Sequence, residues 1–294
     1  MNLNAIEGYL GLNEYRKAVK TLDKWIKENP NDVPALLKRA DINIVLRNKK
    51  EAREDLERAM FIDENSSKAY LVYARLMRVM EERDSALHYI ELGLDLSADM
   101  NVIEELYSLK GAVLMSLDRY EEAETSLYWA AQSPEVSMET MKNLATVLVE
   151  NEKLDEAAIV LKETIDIFGD NLESLINTGY VCNQIGIYDE SIFYLDEALK
   201  LEPENPYALA NASLAYLRTG QLNVAFTMIE KSLKNDNTNS FAYRVRGECL
   251  LTMGENDRAC KDFKKAIQMG YTVLHEQTEI TKLMVESCNN GRVY

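Results

Sequence analysis

Three asparagines stand 34 residues apart: Asn143, Asn177 and Asn211. They sit in the stretches "METMKNLATVL", "LESLINTGYVC" and "PYALANASLAY", each of which reads as the interior of a helix. Asparagine is disfavoured there because its side chain competes for backbone hydrogen bonds. Its carboxamide carries one acceptor and two donors, so it can pair with both the N–H and the C=O of an extended chain.

Other reactive side chains do not assemble into a recognisable site. The two histidines, His88 and His275, are far apart, and neither has a cysteine or carboxylate at metal-ligand spacing. "LHEQTEI" lacks the second histidine of a zinc-protease helix, and no nucleophile elbow, phosphate loop or dinucleotide fingerprint occurs. Cys182, Cys249, Cys260 and Cys288 form no C-x-x-C pair and read as free buried thiols of a reducing compartment. A net charge of −16 argues against a phosphate-binding surface and suits solubility or a basic partner. No run of eighteen apolar residues occurs, and the start "MNLNAIEGYLGLNEYRKAV" has no segment long enough for a signal peptide. The expectation is a cytoplasmic protein with no catalytic, metal or cofactor site, no nucleic-acid partner and no membrane insertion.

The interval of the asparagines belongs to the whole chain. Ala18, Ala52 and Ala86 are 34 apart, Ala123 follows after 37, and Ala157, Ser191, Ala225 and Ala259 resume the spacing of 34. Each follows a short polar turn such as "LDRYEEA" or "MGENDRA". Twelve residues earlier lies a second small residue: Ala40, Ala74, Gly111, Ala145, Gly179, Ser213 and Gly247, with Ile6 as the exception. Four residues after the first series come Leu22, Leu56, Ile90, Leu127, Leu161, Leu195, Ile229 and Phe263. Small residues at facing positions let two antiparallel helices cross closely, and large apolar residues one turn on fill the space beside the crossing. The next repeat then buries what each hairpin leaves open.

This pattern resembles the tetratricopeptide repeat. The resemblance covers nearly the whole chain, with partial first-helix motifs at Leu175 with Gly179, Tyr107 with Gly111 and Tyr243 with Gly247, and the closing proline at Pro30 and Pro203. It implies an all-α fold, a right-handed α-solenoid of about eight helix-turn-helix units followed by a capping helix. The units fall at about 1–32, 33–66, 67–103, 104–137, 138–171, 172–205, 206–239 and 240–271, with the cap at 272–288. The last unit, "MGENDRACKDFKKAIQMGY", looks like the closing repeat of many bacterial members.

The resemblance also implies that first helices line a concave groove, where some members use an asparagine ladder to grip a peptide backbone. Asn143, Asn177 and Asn211 hold that position. Rungs about 8–10 Å apart would meet an extended chain about every third residue. Each bond is worth only about 0.5–1.5 kcal/mol, so selectivity needs flanking residues. Helical spacing nominates Lys142, Thr146, Ile176, Tyr180, Tyr207, Leu214, Arg218, Phe241, Arg244 and Glu248. The family's carboxylate clamp is read as absent: Thr146 stands where an asparagine is wanted, and Tyr207 and Asn211 where basic residues are wanted.

A second asparagine column, Asn171, Asn205 and Asn239, stands before first helices, where other repeats carry Asp32, Ser66 and Ser137. That is N-cap chemistry, with Pro206 at the first helical position. Three extra residues around Ala98–Ile103 predict a first helix lengthened by almost one turn, or a slightly altered superhelical step, with "NVIE" as a capping box led by Asn101. Trp25 stands where later repeats have Ala59, Gly93 and Ala130, as a terminal repeat tolerates. Val273, Leu274, Ile280, Leu283, Met284 and Cys288 predict the apolar stripe of the cap, with Glu276, Glu279, Lys282 and Glu286 off it. The function expected is a non-enzymatic scaffold for an unidentified protein or peptide. An assembly subunit working through its convex face or ends, a homo-oligomer, and the targeting module of a larger protein are the alternatives.

Overall fold

The computed structural model describes residues 3–271 and 277–288. Among them the chain forms α-helices and no strand. It divides into two compact units, 1–151 and 152–294. The first holds α1 (Leu3–Gly11), α2 (Tyr15–Glu28), α3 (Val33–Val45), α4 (Lys49–Ile62), α5 (Ser67–Val79), α6 (Arg83–Leu96), α7 (Met100–Met115), α8 (Tyr120–Ala131) and α9 (Met138–Glu150). The second holds α10 (Leu154–Phe168), α11 (Leu172–Gln184), α12 (Tyr188–Leu201), α13 (Pro206–Arg218), α14 (Leu222–Asn235), α15 (Ser240–Thr252), α16 (Asn256–Gln268) and α17 (Gln277–Cys288).

Local chemistry sets each helix boundary. The capping column works as its residue types require: Asp32, Ser66, Ser137, Asn171, Asn205 and Asn239 each accept the backbone N–H three residues on. The lengthened helix is α7, with 16 residues against 13 in α5 or α9. Its cap is Asp99, which accepts the amide of Asn101 at 3.1 Å, so Asn101 is inside the helix and not its cap. The aspartate lies earlier and takes the amide of the second helical residue.

First helices end in a reversal that one left-handed residue makes. That column is Asn13, Arg47, Glu81, Asp118 and Glu152, then Gly186, Gly220 and Gly254, all with φ between 56° and 80°. The amide that follows reaches back five residues, in Glu82 N–H to the Met77 carbonyl (3.0 Å) and in Gln221 N–H to Tyr216 (2.8 Å), for example. This is the Schellman closure of a helix C-terminus.

The crossings follow the small-against-large rule. A Cβ added to Gly111 would lie 2.4 Å from Leu127, one on Gly179 2.4 Å from Leu195, and one on Gly247 2.5 Å from Phe263. Where serine replaces alanine at a crossing, its hydroxyl donates to the facing helix: Ser191 to the Gly179 carbonyl and Ser213 to that of Ala225, both 2.8 Å. A buried hydroxyl thereby avoids the cost of losing water without a partner.

Within the first unit, successive hairpins share one core from Ile6 to Val113. First helices α3, α5, α7 and α9 touch in series, and each second helix packs on the first helix that follows. Trp25 has a larger part than its terminal place suggested: its Nε1–H donates to Asp32 at 2.6 Å, holding the carboxylate that caps α3.

In the second unit α11, α13 and α15 form the same series. Helix α17 packs on α16, with Ile280 buried and Leu283 and Met284 against Leu250, Phe263 and Tyr271. Val273, Leu274, His275 and Glu276 lie outside the described residues. The reading of four free thiols is corrected here: Cys260 of α16 and Cys288 of α17 form a disulfide, while Cys182 and Cys249 are free and buried. A sequence separation of 28 hid it, because only packing of α17 brings the two Cα atoms to 5.1 Å.

Candidate functional site

In the second unit, Asn177 is partly buried and makes no side-chain hydrogen bond among the described residues. Asn211, one repeat on, is only 8% exposed. Its Nδ2 donates to the Tyr207 carbonyl one turn back at 3.0 Å, and its buried Oδ1 has no partner. Asn183, in the last turn of α11, donates its Nδ2 to the backbone carbonyl of Asn211 at 3.0 Å, and its own Oδ1 is likewise buried and unmatched. Sequence reasoning missed Asn183, since nothing recurs at its position.

Two flanking residues come together that spacing alone did not join. Arg218 of α13 and Arg244 of α15 both reach Glu248, at 2.7 and 2.6 Å. Arg244 and Glu248 are buried, and the Arg244 guanidinium lies 6.0 Å from the centre of the Phe241 ring. Tyr207 is 57% exposed, while Tyr180 and Ile176 are half-buried and Leu214 is buried. Burial pushes two neighbouring acids up. The Cys249 thiol rises to about 11, and the Tyr216 phenol, which also donates to Asp196 at 2.8 Å, rises to about 12.

Lys142 and Asn143 fall in the first unit, on α9, both partly buried. The Thr146 hydroxyl donates to the Lys142 carbonyl at 2.9 Å and is occupied within its own helix. Asn143 has no side-chain hydrogen bond among the described residues and lines a cleft of about 300 Å³ with Ser108, Glu139 and Arg78. Two larger clefts, of about 430 and 530 Å³, open between the preceding first helices. Both are lined by Lys38, Asp41 and Arg75. Arg75 pairs with Asp41 at 2.8 Å and with Glu105, and Lys38 with Glu7 at 2.9 Å.

These basic residues were not singled out from the sequence, yet a signal was there. Lys38 stands two residues before Ala40, the register that Asn143 holds before Ala145. Asp41 and Arg75 are 34 apart, opposite charges at equivalent places on successive first helices. The clefts therefore offer hydrogen-bonding groups, fixed charges and apolar walls. Among the described residues no group of three or more His, Cys, Asp or Glu could hold a metal, and no helix is long and apolar enough to cross a membrane.

A family model described as tetratricopeptide repeat matches residues 3–67, and one described as anaphase-promoting complex, cyclosome, subunit 3 matches residues 186–266. The chain carries tetratricopeptide repeats, matched directly over residues 3–67. No curated protein matches it as a relative. Among solved structures, it is similar to YrrB, described as a tetratricopeptide protein with an unusual peptide-binding site, at 20% identity and a TM-score of 0.59, over 64% of this chain and 95% of that one. A tetratricopeptide repeat protein of Parabacteroides merdae aligns at 17% identity and a TM-score of 0.54, over 87% of this chain and 99% of its own. PilF of Pseudomonas aeruginosa aligns at 17% and 0.61, over 74% and 97%. At these identities the likeness is one of fold. Each unit is a helical solenoid of tetratricopeptide hairpins, an architecture that generally serves protein–protein interaction.

Proposed function

We propose that this chain is a non-enzymatic scaffold that takes an extended peptide or a partner's tail on its first-helix faces. Asn143 of the first unit and Asn177 and Asn211 of the second are its backbone-pairing groups. The observation that carries the reading is the state of the carboxamides. Asn143 and Asn177 make no side-chain hydrogen bond among the described residues, and Asn143 lines an open cleft. An unpaired carboxamide beside a groove is where a peptide's N–H and C=O would be matched. Asn211 has one N–H bound to Tyr207 and a buried Oδ1, so it joins a peptide only when its side chain turns outward. Lys142, Tyr180, Tyr207, Arg218, Phe241 and Arg244 flank these groups and would read side chains. The peptide-binding site named for YrrB supports the reading by analogy. The free thiols Cys182 and Cys249 favour the cytoplasm as the working compartment, against the Cys260–Cys288 bond, and cell fractionation decides between them.

The test begins with selection of binders from a displayed library of random peptides. The wild-type chain should enrich extended sequences. Asn143→Ala, and separately Asn177→Ala with Asn211→Ala, should weaken the selected peptides about tenfold with helicity and melting unchanged. Failure to enrich any peptide, or full affinity in both variants, would overturn it.

A further inference from the structure

The first-unit cleft of about 430 Å³ is cationic in a strongly acidic protein. Its walls carry Lys38, Arg47, Arg75 and Arg78 against a single carboxylate, Asp41. Asp41 is bound to Arg75, and Lys38 is bound to Glu7. Arg47 and Arg78 are exposed, and their side chains form no ion pair or hydrogen bond among the described residues. Both stand at first-helix C-termini, Arg78 in the last turn of α5 and Arg47 just after α3, where a cation suits the helix dipole. That placement explains why a cation is tolerated and leaves its N–H groups unused. The same cleft has apolar lining, with Val45 57% exposed and Ile44 and Val79 also on its wall.

We infer that this cleft binds an acidic peptide segment, an apolar side chain resting on Val45 and Val79 while a neighbouring Asp or Glu carboxylate bridges Arg47 and Arg78. Guanidinium and carboxylate form the strong charge-assisted pair that neither arginine finds among the described residues. The occupant is a peptide rather than a compact anion because the cleft does not end there. Arg75 also lines the cleft of about 530 Å³, and Arg75 and Arg78 the one of about 300 Å³, so the opening runs on across successive first helices. The far wall of the last is acidic, with Glu104, Glu105 and Glu139, which confines the carboxylate to the Arg47–Arg78 end and sets the direction of the segment. The inference refines the peptide-binding reading but uses no asparagine.

The test is an array of short peptides in which apolar and acidic residues are varied independently, each acid paired with its amide. It is probed with the full chain as wild type, as Arg47→Gln with Arg78→Gln, and as the three-asparagine variant Asn143→Ala, Asn177→Ala, Asn211→Ala. The wild type should prefer an apolar residue beside Asp or Glu, and lose about tenfold or more when the acid becomes its amide. The arginine variant should lose that preference, and the asparagine variant should keep it. Methyl resonances of Ile42 and Ile44, which line the cleft, should shift only with the acidic peptides. No discrimination between acid and amide, or an arginine variant equal to wild type, overturns the inference. Loss in the asparagine variant alone would leave the backbone-pairing reading standing and remove this one.

Discussion

The ring of Phe263 rests on Gly247 so closely that a single added Cβ would come within 2.5 Å of it. The largest residue of its column thus faces a residue without a side chain, and Phe263 is fully buried. Gly247→Ala gains helix propensity of up to about 1 kcal/mol but forces the ring aside at about 1–3 kcal/mol. We expect net destabilisation in urea unfolding. Phe263→Ala should lose about 3–5 kcal/mol. A Gly247→Ala chain as stable as the wild type would show that the crossing is looser than this contact requires.

Arg246 forks onto Asp262 at 2.7 and 2.8 Å and reaches Glu230 at 2.7 Å. Arg39 does the same with Asp55 and Asp23 in the first unit. Asp262 is 7% exposed, so removing its partner strands a charge in a poorly solvated place. Arg246→Met should cost up to about 3 kcal/mol, and adding Asp262→Leu should recover most of it. A double-mutant cycle measured by chemical denaturation separates the pair from its desolvation.

Glu81 holds a left-handed conformation, φ 64°, at the turn where Gly186, Gly220 and Gly254 stand in the second unit. Glycine relieves the steric conflict of the side chain at such a φ, partly offset by a freer unfolded chain. Glu81→Gly should therefore raise stability by up to about 1 kcal/mol, read as a higher melting temperature. A lower melting temperature would mean that Glu81 makes contacts worth more than its strain.

Burial and the bond to Asp196 lift the Tyr216 phenol from 10.0 to about 12. Its folded pKa lies above its unfolded value. The stability it contributes is fully present below pH 10 and is lost as pH rises toward 12. Cys249 behaves alike from 9.0 to about 11. Unfolding free energy should fall across this alkaline window, and Tyr216→Phe should flatten the upper part of the fall.

Cys182 and Cys249 are buried, with thiols raised by desolvation, so thiolate reagents should find neither in the native chain. Unfolding without reductant should release two reactive thiols, and unfolding with reductant all four. Four thiols without reductant would mean that α17 is not tied to α16.

Much of the architecture was legible because a repeat states its physics many times over. The alternation of Ala40 with Leu56, or Gly179 with Leu195, identifies paired helices whatever surrounds them, and Asn205 before Pro206 marks a helix start from two residues. Where one unit departs from its neighbours the signal thins. The sequence points to Asn101 as a cap, and only the course of the backbone gives that place to Asp99.

The candidate site was less legible, for a different reason. Recurrence marks Asn143, Asn177 and Asn211 as special but does not say what each already touches. The bond from Asn211 to Tyr207, the meeting of Arg218 and Arg244 on Glu248, and the joining of Cys260 to Cys288 depend on distances between helices. So does the isolation of Arg47 and Arg78, since a charge is known to lack a partner only when its surroundings are in place. By itself the sequence determined the paired helices, their register and the caps of the recurring column, because those follow from spacing along one chain. The tertiary structure alone decided which polar groups are spent and which remain open to a ligand, because that is settled by what lies beside each group across the gap between helices.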